Sequence, residues 1–308
     1  MAHDHAPGHD HSHGADADGL SRAFLWGAGL NVSFLIIEAI CGFAVGSLAL
    51  VADAGHNASD VLGLLLAWGA AALARGGATE RRTYGLRRTT ILAALLNAVL
   101  LLVAVGGIAW EAVDRLMHPH PVASGMVIWV ALAGVVVNGA SAWLFHGRHG
   151  DLNARGAYLH LMADAAVSLG VVGAAIAMRL TGLTWIDPAV SLVIAVVVTV
   201  GTWGLLRDAL DLTLDAVPRG IDLAAVRGFL LGVPAVAGVH DLHVWGMSTS
   251  EAALTAHLVV DGGAIPDTVI GAATQGLRTR FGIAHSTLQV ENGDCGSLGC
   301  CEPSAAQV

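Results

Sequence analysis

The chain has 308 residues, 55% of them hydrophobic and 13% charged, with a formal net charge of −9 when histidine is neutral. Soluble domains carry about 25% charged residues, so a wholly water-soluble protein is excluded. The acidic balance gives nucleic-acid binding no electrostatic support, and no nucleic-acid partner is expected.

The polar stretch 1–21 holds His3, His5, His9, His11 and His13 with Asp4 and Asp10. Its composition predicts a disordered tail able to collect a divalent metal weakly, and no cleavable secretory signal. A transmembrane domain over 22–207 follows, with six apolar stretches near 23–45, 50–74, 89–112, 124–146, 157–179 and 185–206. Each is long enough to cross a lipid bilayer, which takes about 20 residues. Abundant glycine and alanine suit close helix contacts, and Cys41 reads as packing.

All fifteen basic residues are arginine. Arg22, Arg75, Arg81, Arg82, Arg87, Arg88, Arg148, Arg155, Arg207 and Arg219 fall on one side of the predicted spans, Arg115 and Arg179 on the other. Both termini are therefore expected in the cytoplasm, with a bacterial inner membrane as the location.

Residues 208–292 are expected to form a smaller water-exposed domain, since beyond residue 215 the composition returns to a mixed one. A helix is predicted over 222–231, strands over 239–247 and 252–260, a second helix over 264–280 and a third strand over 284–291. The order αββαβ predicts a small α+β domain with helices on one face of its sheet. The tail 293–308 contains Cys295, Cys300 and Cys301, a candidate metal site of irregular spacing beside the simpler reading of free thiols.

Two copies of one pattern stand in apolar helices: His56-x-x-x-Asp60 and His160-x-x-x-Asp164. Each sets an imidazole and a carboxylate one turn apart on one helix face. Ionisable groups at membrane depth are costly and mark ion paths. Two imidazoles and two carboxylates make a four-ligand set for a divalent ion such as Zn²⁺. Asp53 shares the face of His56 and Asp60, and Glu38 is a further ionisable group, so both are candidates for lining the path or handling protons. Asn31, Asn97 and Asn138 read as interhelical hydrogen-bonding residues.

In the soluble part, alternation places His285, Thr287, Gln289 and Glu291 on one strand face, where they can meet His257. His240 and His243 are three apart, on opposite faces unless a bulge intervenes, and alternation favours His243 on the polar face. His118, His120, His146 and His149 read as loop residues.

The run Gly46-Ser47-Leu48-Ala49-Leu50-Val51-Ala52-Asp53-Ala54-Gly55-His56-Asn57-Ala58-Ser59-Asp60 resembles the second helix of the cation diffusion facilitator family. Arg82-Thr83-Tyr84-Gly85-Leu86-Arg87-Arg88 resembles its following loop, His160-Leu161-Met162-Ala163-Asp164 its fifth helix, and Asp187-Pro188 and Asp215-Ala216-Val217-Pro218 the ends of its sixth. The resemblance implies a homodimeric, proton-coupled exporter of Zn²⁺ with six transmembrane helices and a ferredoxin-like cytoplasmic domain. It implies that His56, Asp60, His160 and Asp164 form the transport site, with protons as counter-ion. It makes His240 a cytoplasmic metal ligand beside His257, His285 and Glu291, for a regulatory Zn²⁺. It pairs Arg88 with Asp215. The loop Arg75–Arg88 offers only Glu80 as a ligand, so a further metal site there is not expected.

Other readings are a Cd²⁺, Co²⁺, Ni²⁺ or Fe²⁺ exporter of the same fold and a transport-inactive metal-sensing subunit. An enzyme is not expected: the sequence has no HExxH, nucleophile elbow or phosphate loop.

Overall fold

In lipid the backbone has no water to bond, and a helix satisfies its own amides and carbonyls within one segment. The computed structural model describes residues 13–143, 152–260 and 266–292. Six long helices come first: α1 His13–Val45, α2 Leu48–Ala74, α3 Thr89–Met117, α4 Ser124–Trp143, α5 Leu152–Thr181 and α6 Ile186–Thr213. Among the described residues, α2, α3, α4, α6 and Tyr158–Thr181 of α5 are long and apolar enough to cross a membrane, and the described apolar part of α1 is Gly29–Val45.

Four helices extend five residues or more past the sequence expectation, among them α5, which starts at Leu152 rather than at 157. α1 begins at His13, so residues 13–21, expected as disordered tail, are helical. Adding a residue to an existing helix costs far less than starting one, so the apolar span extends backwards into polar sequence. α3 and α6 run on to Met117 and Thr213, past the expected ends at 112 and 206. Hydropathy marks where a helix leaves the membrane, not where it stops. His3, His5, His9, His11, His146, His149, Cys295, Cys300 and Cys301 lie outside the described residues, as does the side chain of His13.

The described residues form two compact bodies, divided within α2 after Leu62, within α3 after Val99 and within α6 after Thr202. In the first, Leu50, Leu101, Val127, Ala131, Val171, Ala175 and Ile194 build the core. Gly134 of α4 sits where a Cβ would lie 2.9 Å from the Phe34 ring of α1 and 3.0 Å from Ser168 Oγ of α5. The missing side chain lets three helices close on one another. Phe43, Trp110, Trp129 and Leu180 point outward as large exposed apolar groups, a surface suited to lipid.

α1 and α2 meet at Gly46, whose φ of +70° favours glycine. Behind this turn, Asp187 of α6 is fully buried. Its carboxylate accepts from Ser47 Oγ at 2.5 Å and from the Leu48 amide at 2.7 Å. It thus caps the first turn of α2 from another helix. Arg115 of α3 donates to the Gly46 carbonyl at 2.6 Å and completes the clamp.

The second body contains Gly63–Ala74 of α2, the arginine-rich loop, Thr89–Val99 of α3, the end of α6, and an α+β domain. That domain runs α7 Leu223–Leu231, β1 Val236–Gly246, β2 Ala252–Val260, α8 Pro266–Phe281 and β3 His285–Asn292. Asp222 accepts from the Ala224 and Ala225 amides and starts α7. The sheet order is β1-β2-β3, with β1 and β2 antiparallel and β2 and β3 parallel. Val226, Leu230, Leu254, Leu258, Ala273, Leu277 and Ile283 make one core between helices and sheet. The polar side chains of β2 and β3 therefore gather on the other face, as the ferredoxin-like expectation requires.

Replacing Asp187 by alanine strips α2 of two hydrogen bonds and leaves buried donors unpaired. We expect a loss of about 1–3 kcal/mol, read as a lower Tm of the detergent-purified protein, with Asp187→Asn intermediate. Equal Tm values for wild type and Asp187→Ala would remove the cap from the account.

Candidate metal centres

His56 and Asp60 on α2 face His160 and Asp164 on α5 within the first body. His160 Nε2 lies 3.2 Å from Asp60 Oδ2 and 3.5 Å from Asp164 Oδ2, and His56 Nε2 lies 3.7 Å from Asp60 Oδ2 and 3.8 Å from Asp164 Oδ1. The ring centroids of His56 and His160 are 6.2 Å apart. The two imidazoles thus stand opposite one another, with a carboxylate on either side between them. Tetrahedral zinc with nitrogen and oxygen ligands has donor separations of about 3.3 Å, close to these values. Asp164 is buried, while Asp60 and His160 are open on one side. Nδ1 of His56 is buried without a hydrogen-bond partner. Both carboxylates are acceptors only, so the cluster attracts a dehydrated cation.

A second polar layer adjoins this one. Ser168, one turn beyond Asp164, donates to Asp53 Oδ2 at 3.0 Å and ties α5 to α2. Glu38 of α1 is buried beside it. Sequence reading missed Ser168, although extending the 160, 164 spacing by one turn points to it. Asn31 donates to Ser141 at 3.3 Å, the interhelical role expected of it.

The second centre lies on the open face of the sheet. His240 Nε2 is 3.1 Å from Glu291 Oε2, and His257 Nδ1 is 2.7 Å from Glu291 Oε1. One donor atom from each of these three residues falls within 4.8 Å of the other two. Gln289 donates to Glu291 Oε1 at 3.0 Å and helps orient the carboxylate. Partial desolvation pushes the Glu291 pKa up, but hydrogen bonds from His240 and His257 prevail and hold it below the usual carboxylate range. A depressed folded pKa stabilises the fold above the unfolded value, and that stability is lost as pH falls through the folded one.

Two expectations change here. His285 does not join this cluster. It pairs with Ala253 in the register, whereas His257 pairs with Gln289, so it sits at the far end of β3 from Glu291. Its ring packs 5.4 Å from the Tyr84 ring instead. A shared face does not bring residues six apart together, because each strand residue advances about 3.3 Å. The conflict between His240 and His243 is resolved by a bulge. The register steps from His240↔His257 to His243↔Thr255, three residues against two. The extra residue puts both histidines on the face of His257. Asp241 stands in the bulge with φ +50°, and its carboxylate lies 3.0 Å from His243 Nε2 and 3.7 Å from His257 Nε2. Strand periodicity carries no signal for it, since a bulge breaks the period.

Arg88 Nη2 bonds Asp215 Oδ1 at 2.6 Å, and Arg87 Nη1 bonds Glu251 Oε2 at 2.8 Å, both within the second body. These pairs are exposed, and such pairs contribute little stability.

The family model of the cation efflux transmembrane domain matches residues 25–212, and that of the cation efflux protein cytoplasmic domain matches 218–293. The chain is 38% identical over 290 residues to "Cation efflux system protein CzcD" of Alcaligenes sp. strain CT14, covering 94% of this chain and 91% of the relative. It is 36% identical over 305 residues to "Zinc transporter ZitB" of Escherichia coli K12, covering 97% and 96%. It is 33% identical over 294 residues to the "Cadmium, cobalt and zinc/H(+)-K(+) antiporter" of Bacillus subtilis 168, covering 92% of each. The chain belongs to the cation efflux (cation diffusion facilitator) family, and it is an integral membrane transporter rather than an enzyme.

Proposed function

We propose that the protein exports Zn²⁺ from the cytoplasm in exchange for protons, by alternating access around His56, Asp60, His160 and Asp164. The observation that carries this reading is the convergence of all four side chains in one cluster between α2 and α5. Metal is held by neutral imidazole and ionised carboxylate, so protons compete for the same atoms. Two carboxylates neutralise a divalent ion where the dielectric is low. When the metal leaves, protons on the imidazoles offset the remaining negative charge. Rocking of the helices around the fixed site then carries the exchange. The names of the relatives include zinc transport and antiport with H⁺.

The arginine distribution supports cytoplasmic termini in a bacterial inner membrane. The matched cytoplasmic domain supports the same side for the C-terminus, and its family model is named for a dimer, in keeping with a homodimer. On the sheet, His240, His257 and Glu291 fit a regulatory Zn²⁺: two imidazoles and an ionised carboxylate leave one position for water. Export of Co²⁺ or Cd²⁺ is the second reading, since both appear in the name of the Bacillus relative. The transport cluster has no thiolate, which suits zinc and cobalt better than the softer cadmium.

In proteoliposomes with an imposed pH gradient, His160→Ala is expected to reduce Zn²⁺ flux to the level of empty vesicles. Flux equal to wild type would refute the transport site. Metal-by-metal flux in the same vesicles ranks the cargo.

For the cytoplasmic centre, equilibrium dialysis of the full chain should show about one Zn²⁺ fewer per chain in His257→Ala and in Glu291→Ala. His285→Ala should match wild type. A loss in His285→Ala equal to that in His257→Ala would return His285 to the ligand set.

A further inference from the structure

Glu38 of α1 and Asp53 of α2 are acids that the four-ligand centre leaves unused, and their relative exposures are 0% and 1%. Asp53 precedes His56 by one turn and shares its helix face. Its Oδ2 is held by Ser168, one turn beyond Asp164. Its Oδ1 and both oxygens of Glu38 meet no conventional hydrogen-bond donor. The two carboxyl groups reach one another instead. A hydrogen bond between carboxyls requires that one of them carry a proton. Asn57 of α2 is an uncharged neighbour of Glu38. The titratable groups that act on the pair are His56 on α2 and Asp164 on α5. From α4, Gly134 faces Ser168, and the buried Asn138 is uncharged.

Two ionised carboxylates side by side at low dielectric repel strongly, and a shared proton relieves the repulsion. We propose that Glu38 and Asp53 hold the counter-proton between them as a carboxylic acid–carboxylate pair, about one helical turn from the metal ligands. This deepens the antiport reading and rests on it. With the four ligands empty, the negative charge of Asp164 favours the protonated pair. A divalent cation among them reverses the sign of the local field and favours loss of that proton. The proton passes to water on the side to which the site is open. Metal entry and proton exit are thereby coupled through the field as well as by competition at the ligands themselves. Ser168 and Asp53 join the pair to α5, the helix that carries His160 and Asp164.

The test uses the full-length protein. In weakly buffered detergent, Zn²⁺ added to wild type should release protons and remove the infrared C=O band of a protonated carboxylic acid. Glu38→Gln should bind as many Zn²⁺ per chain as wild type but release about one proton fewer per ion. In proteoliposomes its pH-gradient-driven uptake should fall by roughly tenfold or more. Exchange of radioactive for unlabelled zinc at equal pH should persist. Wild-type proton release from Glu38→Gln would overturn the proposal. So would a lower zinc stoichiometry, which would make the pair a metal site. The infrared band needs no variant, and its insensitivity to Zn²⁺ in the wild type would overturn the proposal even if Glu38→Gln failed to fold. A wild type that binds zinc yet shows no uptake under a pH gradient would instead sink antiport itself, an outcome separate from the proton count.

Discussion

Carboxylates and imidazoles gathered between α2 and α5 cannot be solvated by lipid, so the helices must hold them against one another. Much of the first body can be traced to that constraint. Gly134 removes a side chain where α1, α4 and α5 would otherwise collide. Asp187 reaches across from α6 to seat the first turn of α2, two turns before His56. Ser168 binds Asp53 and locks the ligand faces of α2 and α5 in register. None of these residues is in the four-ligand set, yet each limits how far its donor atoms can drift. A drift of 1 Å matters for a zinc shell, where bond lengths vary by only about 0.2 Å.

The six helices and the two His-x-x-x-Asp pairs were legible in the sequence because each rests on one helix and one period. His56 and Asp60, or His160 and Asp164, need only the 3.6-residue repeat to share a face. The union of the two pairs, by contrast, is a tertiary event, and the resemblance rather than the period implied it. Helix ends were less legible, since α6 continues through Arg207, Asp208 and Asp211 without a breaker before Pro218. Arg88 and Asp215 lie far apart in the chain, and only the family motif linked them before their 2.6 Å contact was seen.

The sheet shows the opposite case, in which a correct period misled. Alternation grouped His285 with Glu291, and they do share a face, but the length of β3 separates them. Alternation also split His240 from His243, and the bulge at Asp241 reunited them. A non-glycine residue at φ +50° is uncommon, and such conformations collect at functional sites. Here the irregularity turns an aspartate toward His257 and His243, at the edge of the three-residue cluster.

The two clusters use one local device for different ends. In each, a carboxylate lies between two imidazoles: Asp60 between His56 and His160, and Glu291 between His240 and His257. The membrane cluster adds a second, buried carboxylate, Asp164, whereas among the described residues the sheet cluster has the exposed Asp241 nearby. A divalent ion would therefore be neutralised by the two carboxylates of the membrane cluster, whereas Glu291 alone would leave it with net positive charge on the sheet. The neutral complex can change its access without dragging charge through lipid. A charged complex would be stable only where water screens it, and protons would compete with metal for its ligand atoms. Ligand charge and solvent access thus set the buried cluster apart from the sheet cluster, although both draw on histidine and carboxylate.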